Sequence, residues 1–209
     1  MKYKILALSF LVSLLSVSAF AASDSALSAA NFLAKKTIIN DNSSDTSKYN
    51  LDMTITRREM LKVMMNLSGK TVGTTCSGKF SDMNSSDWGC KYAEAALANG
   101  YIAANKTYRP GDSVTQIEAL KMIMQAKGLS KDENTDWRAG YISKAISEGI
   151  IDASFWYDEI AKRSWIFIVG ANTYSDAPDL SFEDDSDYTG DEIPDEIQDI
   201  LDYFLNGDY

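Results

Sequence analysis

The chain has 209 residues, a net charge of -10, two cysteines and no histidine. The absence of histidine excludes serine-histidine and cysteine-histidine nucleophilic sites, because both need an imidazole base. Two thiols without histidine also leave too few ligands for a tetrahedral zinc site.

The first 21 residues have the layout of a secretory signal peptide. Lys2 and Lys4 precede an apolar run from Ile5 to about Val17, and Ala19-Phe20-Ala21 closes the segment. A retained membrane helix is the alternative, but the run is shorter than the roughly 20 apolar residues that a span needs, and serines interrupt it. We therefore predict that residues 1–21 are removed and that the mature chain is secreted without a membrane span.

A repeated unit follows the leader. An Asp-Trp motif that leads into a helical pattern begins at Asp87 and again 49 positions later at Asp136. A second motif, Ile/Val-Thr-x-x-Glu, begins at Ile55 and again 59 positions later at Val114. This second motif is a capping box that opens an amphipathic stretch, so each unit is predicted to be helix, loop, helix. Three units fit the chain, at residues 22–70, 76–128 and 132–175.

The order of these motifs resembles the S-layer homology (SLH) family. The second repeat has the most complete set of its motifs: Phe80-Ser81-Asp82, Trp88, Gly100-Tyr101-Ile102, Tyr108-Arg109-Pro110 and Val114-Thr115-Gln116-Ile117-Glu118. The first repeat lacks the aromatic-x-Asp opening, and the third ends in a poor copy, Ile160-Ala161-Lys162-Arg163-Ser164. The resemblance implies a mainly α fold, in which three helix-loop-helix repeats pack as a pseudo-threefold helical bundle.

The resemblance also implies where a ligand binds. In SLH proteins an arginine after the N-cap of the second helix lines an inter-repeat groove that holds an acidic cell-wall glycan, often one with ketal-linked pyruvate. Arg57 keeps this signature, at a helix start where N-H groups and the dipole favour an anion. We interpret Gln116 and Lys162 as its counterparts, and a solvated side chain is the alternative for all three. The predicted glycan-binding set is completed by Trp88, Gly100 and Gly149.

The two cysteines, Cys76 and Cys90, are predicted to form a disulfide. They lie in a secreted context and flank the Phe80-Ser81-Asp82 turn. Such a bond contributes on the order of 3 kcal/mol when its geometry is relaxed. Two buried free thiols are the alternative.

The C-terminal segment 176–209 is an acidic tail, since 13 of the 30 acidic residues follow Ser175 and no Lys or Arg does. Four of its residues fit the ligand positions of a calcium loop: Asp185, Asp187, Thr189 and Glu196. Thr189 replaces a usual carboxylate and Glu192 a usual aliphatic residue, so an acidic linker is the alternative. Calcium is the one candidate cofactor. An apolar stripe from Ile193 to Leu205 predicts an amphipathic helix.

Two functions fit these patterns. The first is a non-catalytic attachment module at the cell wall or S-layer, whose inter-repeat grooves bind an anionic wall polysaccharide or a peptidoglycan-linked glycan. S-layer proteins are further candidate partners. The alternative is an exported interaction protein with degenerate grooves, whose acidic tail binds calcium or a basic partner. Neither function involves nucleic acid, and the sequence offers no catalytic residue.

Overall fold

The computed structural model describes residues 24–131, 136–152 and 158–180. Six α-helices lie in these ranges, two within each predicted repeat: α1 Asp24–Lys35, α2 Arg57–Ser68, α3 Cys90–Ala98, α4 Gln116–Ala126, α5 Trp137–Ser147 and α6 Arg163–Asn172. A short 3-10 helix spans Thr46–Tyr49. The described ranges contain isolated β-bridges but no extended β-strand. The mainly α prediction is therefore confirmed.

Several predictions fall outside the described residues. The signal peptide, the calcium-loop residues Asp185, Asp187, Thr189 and Glu196, and the tail helix all lie there, and they stay predictions. None of the helices in the described part of the chain has the length and apolar character that a bilayer span requires.

The second helices of repeats one and two start with the predicted capping boxes. In α2 the Thr56 N-H donates to Glu59 Oε2 at 2.8 Å, while the Glu59 N-H donates to Thr56 Oγ1 at 3.4 Å. Thr115 and Glu118 exchange the same bonds at the start of α4. Each box satisfies backbone N-H groups that a helix start leaves without intrahelical partners.

The first helices end alike in all three repeats, although the sequences differ. Gly100 and Gly149 adopt left-handed backbone with φ of 74° and 66°, as helix-ending glycines do. The first repeat has Thr37 instead, and its φ is 60°. The Thr37 and Ile38 N-H groups still donate to carbonyls of the last turn, at 2.8 and 2.9 Å. The turn therefore has the same shape without the Gly-x-Ile motif. Its conformational free energy is higher, because the Cβ of threonine is crowded in left-handed backbone.

The helices pack between repeats as well as within them. The first helix of each repeat lies against the second helix of another, in the pairs α3 with α2, α5 with α4, and α1 with α6. Three backbone bonds of 2.8 to 2.9 Å join the loops before the second helices: Arg57 N-H to Asp112 O, Gln116 N-H to Glu159 O, and Arg163 N-H to Met53 O. These contacts link the three repeats in a closed cycle. The pseudo-threefold symmetry of the bundle stays a prediction.

One core runs through all three repeats. Ile55, Val114 and Ala161, which come just before the second helices, are each 0% exposed. Five methionines of α2 and α4 are buried in this core: Met60, Met64, Met65, Met122 and Met124. Apolar burial of this extent is the main stabilising contribution in a helical domain of this size.

The aromatic-x-Asp turn of the second repeat fastens the loop that follows α3. The Asp82 carboxylate accepts from the backbone N-H of Tyr108 at 2.9 Å and of Arg109 at 2.7 Å. Burial raises the pKa of Asp82, but these two amide bonds outweigh it, so the pKa lies below its usual value. The Phe80 ring packs 5.6 Å from the Tyr108 ring. The motif thus fixes Tyr108, which lies beside Arg57.

Cys76 and Cys90 form a disulfide with Cα atoms 5.6 Å apart, which confirms the predicted pair. The bond ties the loop after α2 to the first residue of α3. Glu94 reinforces this loop by accepting from the N-H groups of Ser77 at 2.9 Å and Lys79 at 3.0 Å. The two sulfur atoms near Glu94 are therefore bonded to each other, so this described cluster is a covalent cross-link and offers no thiolate to a metal.

Candidate functional site

Arg57, the first residue of α2, lies in a groove between repeats one and two. Its Nε donates to the Tyr108 carbonyl at 3.1 Å and its Nη1 to Glu118 Oε1 at 3.2 Å. The guanidinium carbon also lies 4.8 Å from the centroid of the Tyr108 ring, a cation-π distance. With 17% of its side chain exposed, Arg57 is held from three directions. It is a positioned group at the edge of a cavity and not a freely solvated arginine.

The cavity beside Arg57, here called the Arg57 groove, has a volume of about 740 Å³. Gly100 and Trp137 border it, as do Lys121 and Arg138. The Lys121 ammonium lies 4.9 Å from the centroid of the Trp137 ring. The groove therefore combines cations with an aromatic wall.

In the third repeat the counterpart of Arg57 is Arg163 and not Lys162. Arg163 is the first residue of α6, as Arg57 is of α2, and its Nη2 donates to Glu59 Oε1 at 2.6 Å. Lys162 occupies the N-cap position, which Thr56 fills in the first repeat. The alignment of Lys162 with Arg57 was wrong by one position. The residue that corresponds to the buried Ile55 is the buried Ala161, and not Ile160, which is exposed.

A second cavity, the Arg163 groove, lies beside this pair and has a volume of about 320 Å³. Trp88 borders it, is 46% exposed and packs its ring 6.1 Å from that of Tyr92. Lys62 and Lys48 also line it. Two grooves thus share one pattern, in which an arginine at a helix start pairs with the capping-box glutamate of the next repeat in the cycle.

The interface of repeats two and three departs from this pattern on both sides. Gln116 stands at the arginine position, is 8% exposed and donates from Nε2 to Glu159 Oε2 at 3.3 Å. Trp165 stands in α6 where Glu59 and Glu118 stand in α2 and α4. Arginine and glutamate are thus replaced together, so neither charge is left behind without its partner.

The structure distributes the predicted site residues unevenly. Arg57 and Gly100 border the Arg57 groove, and Trp88 borders the Arg163 groove. Gly149 is not among the described residues that line either groove. Lys162 is exposed at the start of α6. Whether any of these side chains contacts a glycan stays a prediction.

Glu59 serves its own helix and the neighbouring repeat at once. One carboxylate oxygen caps α2, while the other accepts from Arg163. Burial raises the pKa of Glu59, but the bonds from Thr56 and the charge of Arg163 outweigh it, so the pKa is lowered. The sequence pattern predicts only the capping role of this residue, since nothing local indicates a partner 104 positions away.

We expect Glu59→Ala to lower the free energy of unfolding by roughly 1–3 kcal/mol at pH 7, because it removes a cap and a charge-assisted bond. A carboxylate with a lowered folded-state pKa stabilises above its unfolded pKa, near 4.3, and loses that effect as pH falls through the folded value. The difference from wild type should therefore shrink at pH 3 in urea denaturation. Glu148→Ala, which removes an exposed pair with Lys144, should cost under about 0.5 kcal/mol. A difference that is independent of pH would contradict this assignment.

Residues 79–120, within the second repeat, match the S-layer homology domain. The chain therefore contains an S-layer homology domain, which confirms the resemblance. It is 31% identical over 122 residues to an amylopullulanase of Thermoanaerobacterium thermosulfurigenes, a match covering 51% of this chain and 6% of that protein. It is 28% identical over 125 residues to the middle cell wall protein of Brevibacillus brevis, covering 57% and 12%. The chain thus spans a small part of these relatives.

Proposed function

We propose that this chain is an attachment module that binds an anionic cell-wall polysaccharide through the Arg57 and Arg163 grooves. The observation that carries the proposal is the pair of matching grooves, each with a fixed arginine at a helix start and a tryptophan at its border. We expect the third interface, which has Gln116 and Trp165, to bind no glycan.

The chemistry of the two grooves suits a carboxylate on a sugar. A guanidinium has five N-H donors in a planar fork, and the two side-chain bonds of Arg57 use two of them. The dipole of α2 adds to the favourable potential for an anion at this helix start, although the first backbone N-H groups of the helix are already paired within the protein. In the Arg163 groove, the exposed indole of Trp88 offers an apolar face to the ring of the same sugar.

The two relatives favour a location at the cell surface. One is named as a cell wall protein, and the match to the amylopullulanase covers 6% of that enzyme. A segment shared by an enzyme and a wall protein fits a common anchoring part better than a common catalytic one. We therefore propose association with the wall or S-layer, and we propose no catalytic activity for this chain.

The proposal is tested by sedimentation with purified cell-wall fragments. We expect wild type to sediment with the fragments and Arg57→Ala to sediment less, because the affinity of the Arg57 groove falls roughly tenfold or more when it loses a bond to a charged group that contributes about 1.5–3 kcal/mol, while the Arg163 groove still binds. Lys162→Ala is the matched control, since it removes an exposed cation at a helix start outside both arginine positions. Equal sedimentation of wild type and Arg57→Ala would contradict the proposal. Thermal melts of each variant separate weak binding from loss of fold.

A further inference from the structure

The end of the chain concentrates negative charge. Beyond Leu180 the remaining 29 residues contain no Lys or Arg and eleven acidic residues: Glu183, Asp184, Asp185, Asp187, Asp191, Glu192, Asp195, Glu196, Asp199, Asp202 and Asp208. The start of this segment is fixed on the module, because Leu180 is 5% exposed in the core and Asp176 pairs with Lys36 at 2.9 Å. Eleven carboxylates are thus tethered to the folded domain that contains the grooves.

The length of residues 181–209 is sufficient to reach either groove. An extended chain of 29 residues spans up to about 95 Å, and a flexible one has a root-mean-square length near 30 Å. A domain of about 150 residues has a radius of gyration near 15 Å. The tether therefore permits contact with any part of the module, and charge decides between sites.

The two grooves differ in their balance of charge. The described residues lining the Arg163 groove include three cations, Lys48, Lys62 and Arg163, and one acid, Glu59; Lys48 also pairs with Asp45, outside the lining, at 3.1 Å. The lining of the Arg57 groove has four cations, but it also has three acids: Asp112, Glu118 and Asp158. The Arg163 groove is therefore the more cationic and should attract a tethered polyanion more strongly.

We propose that residues 181–209 bind in the Arg163 groove of the same chain and compete there with an external anion. This inference rests on the proposed function in taking that groove as an anion site. A tethered segment has an effective concentration in the millimolar range, so weak contacts suffice for substantial occupancy. The tail then tunes the affinity of one groove, and salt or a high density of wall anions displaces it.

The contact itself is tested by carbodiimide cross-linking of the mature chain, which joins carboxylates to lysine amines in direct contact. We expect mass spectrometry to find amides between residues 181–209 and Lys48 or Lys62 at about 0.05 M salt, and their loss at about 1 M salt. Lys70 and Lys79, exposed and outside both groove linings, are the internal controls. Cross-links that favour the control lysines, or none at all, would overturn the proposal.

The competition is tested with a full-length variant whose eleven tail carboxylates are changed to amides. It should bind wall fragments at least about threefold more tightly than wild type at low salt, the factor expected when the tail fills the groove two thirds of the time. Lys62→Gln, which weakens the proposed site for the tail, should reduce the cross-linking of the tail to Lys48. Equal binding of wall fragments by wild type and by the amide variant would refute the competition while leaving the proposed wall binding intact. Absence of wall binding in both proteins would instead refute the proposed function, and the cross-linking would still decide whether the tail occupies the groove.

Discussion

Leu120→Ala is expected to lower the free energy of unfolding by about 2–5 kcal/mol, because it leaves a cavity that the surrounding core can fill only in part. Leu120 is 0% exposed and belongs to α4. That helix contacts α2 of the first repeat, α5 and α6 of the third. Damage at this residue should therefore be felt by the whole domain and not by one repeat.

Urea denaturation followed by circular dichroism measures this effect. Leu97→Ala, on the shorter helix α3 and partly buried, is the control and should cost clearly less. Both variants should unfold in a single transition with the slope of wild type. A loss below about 1 kcal/mol for Leu120→Ala, or separate unfolding of the repeats, would contradict the single shared core.

Reduction of the Cys76–Cys90 disulfide is expected to lower the free energy of unfolding by about 3 kcal/mol. The sequence separation is 14, so the bond removes loop-closure entropy from the unfolded chain. For a domain of this size, such a change corresponds to a drop of roughly 6–12 °C in melting temperature. The fold should persist, because the bond fastens one loop and the core joins all three repeats.

Thermal melts with and without a phosphine reductant measure this drop, and Cys76→Ser with Cys90→Ser should melt like the reduced protein. Alkylation before reduction should label no thiol in the native protein. Two labelled thiols, or melting temperatures that do not respond to the reductant, would show that the bond does not stabilise the native protein.

Local chemistry made part of this fold predictable. The capping boxes at Thr56 and Thr115 involve residues within one turn, so a short sequence pattern is enough to place both helix starts. The disulfide was predictable for a different reason, since two cysteines in a chain with the layout of a secretory leader have one possible pairing. These features depend on neighbours in sequence or on counting.

The register of the third repeat was not predictable in the same way. Lys162 takes the place of the capping threonine. Ile160 has the same side chain as the buried Ile55, but Ile160 is 41% exposed. The residue that is buried like Ile55 is Ala161, whose small side chain gives a weak apolar signal. Tertiary burial fixes the position of Arg163, and aligning the buried positions of all three repeats would have found it.

The cross-repeat ion pairs could not be predicted from local patterns either. Arg57 and Glu118 are 61 positions apart, and Arg163 and Glu59 are 104 apart. They meet because the loops before the second helices close into a cycle. The matched loss of charge at Gln116 and Trp165 is visible in the sequence only once that cycle is known.

Titration calorimetry with soluble wall-polysaccharide fragments that carry carboxylate groups, ketal-linked pyruvate among them, tests the two-groove proposal most directly. We predict two sites per chain, one remaining site in Arg57→Ala or Arg163→Ala, and no measurable binding in the double variant, with Lys162→Ala unchanged. Three equivalent sites, or binding by the double variant as tight as that of wild type, would contradict it.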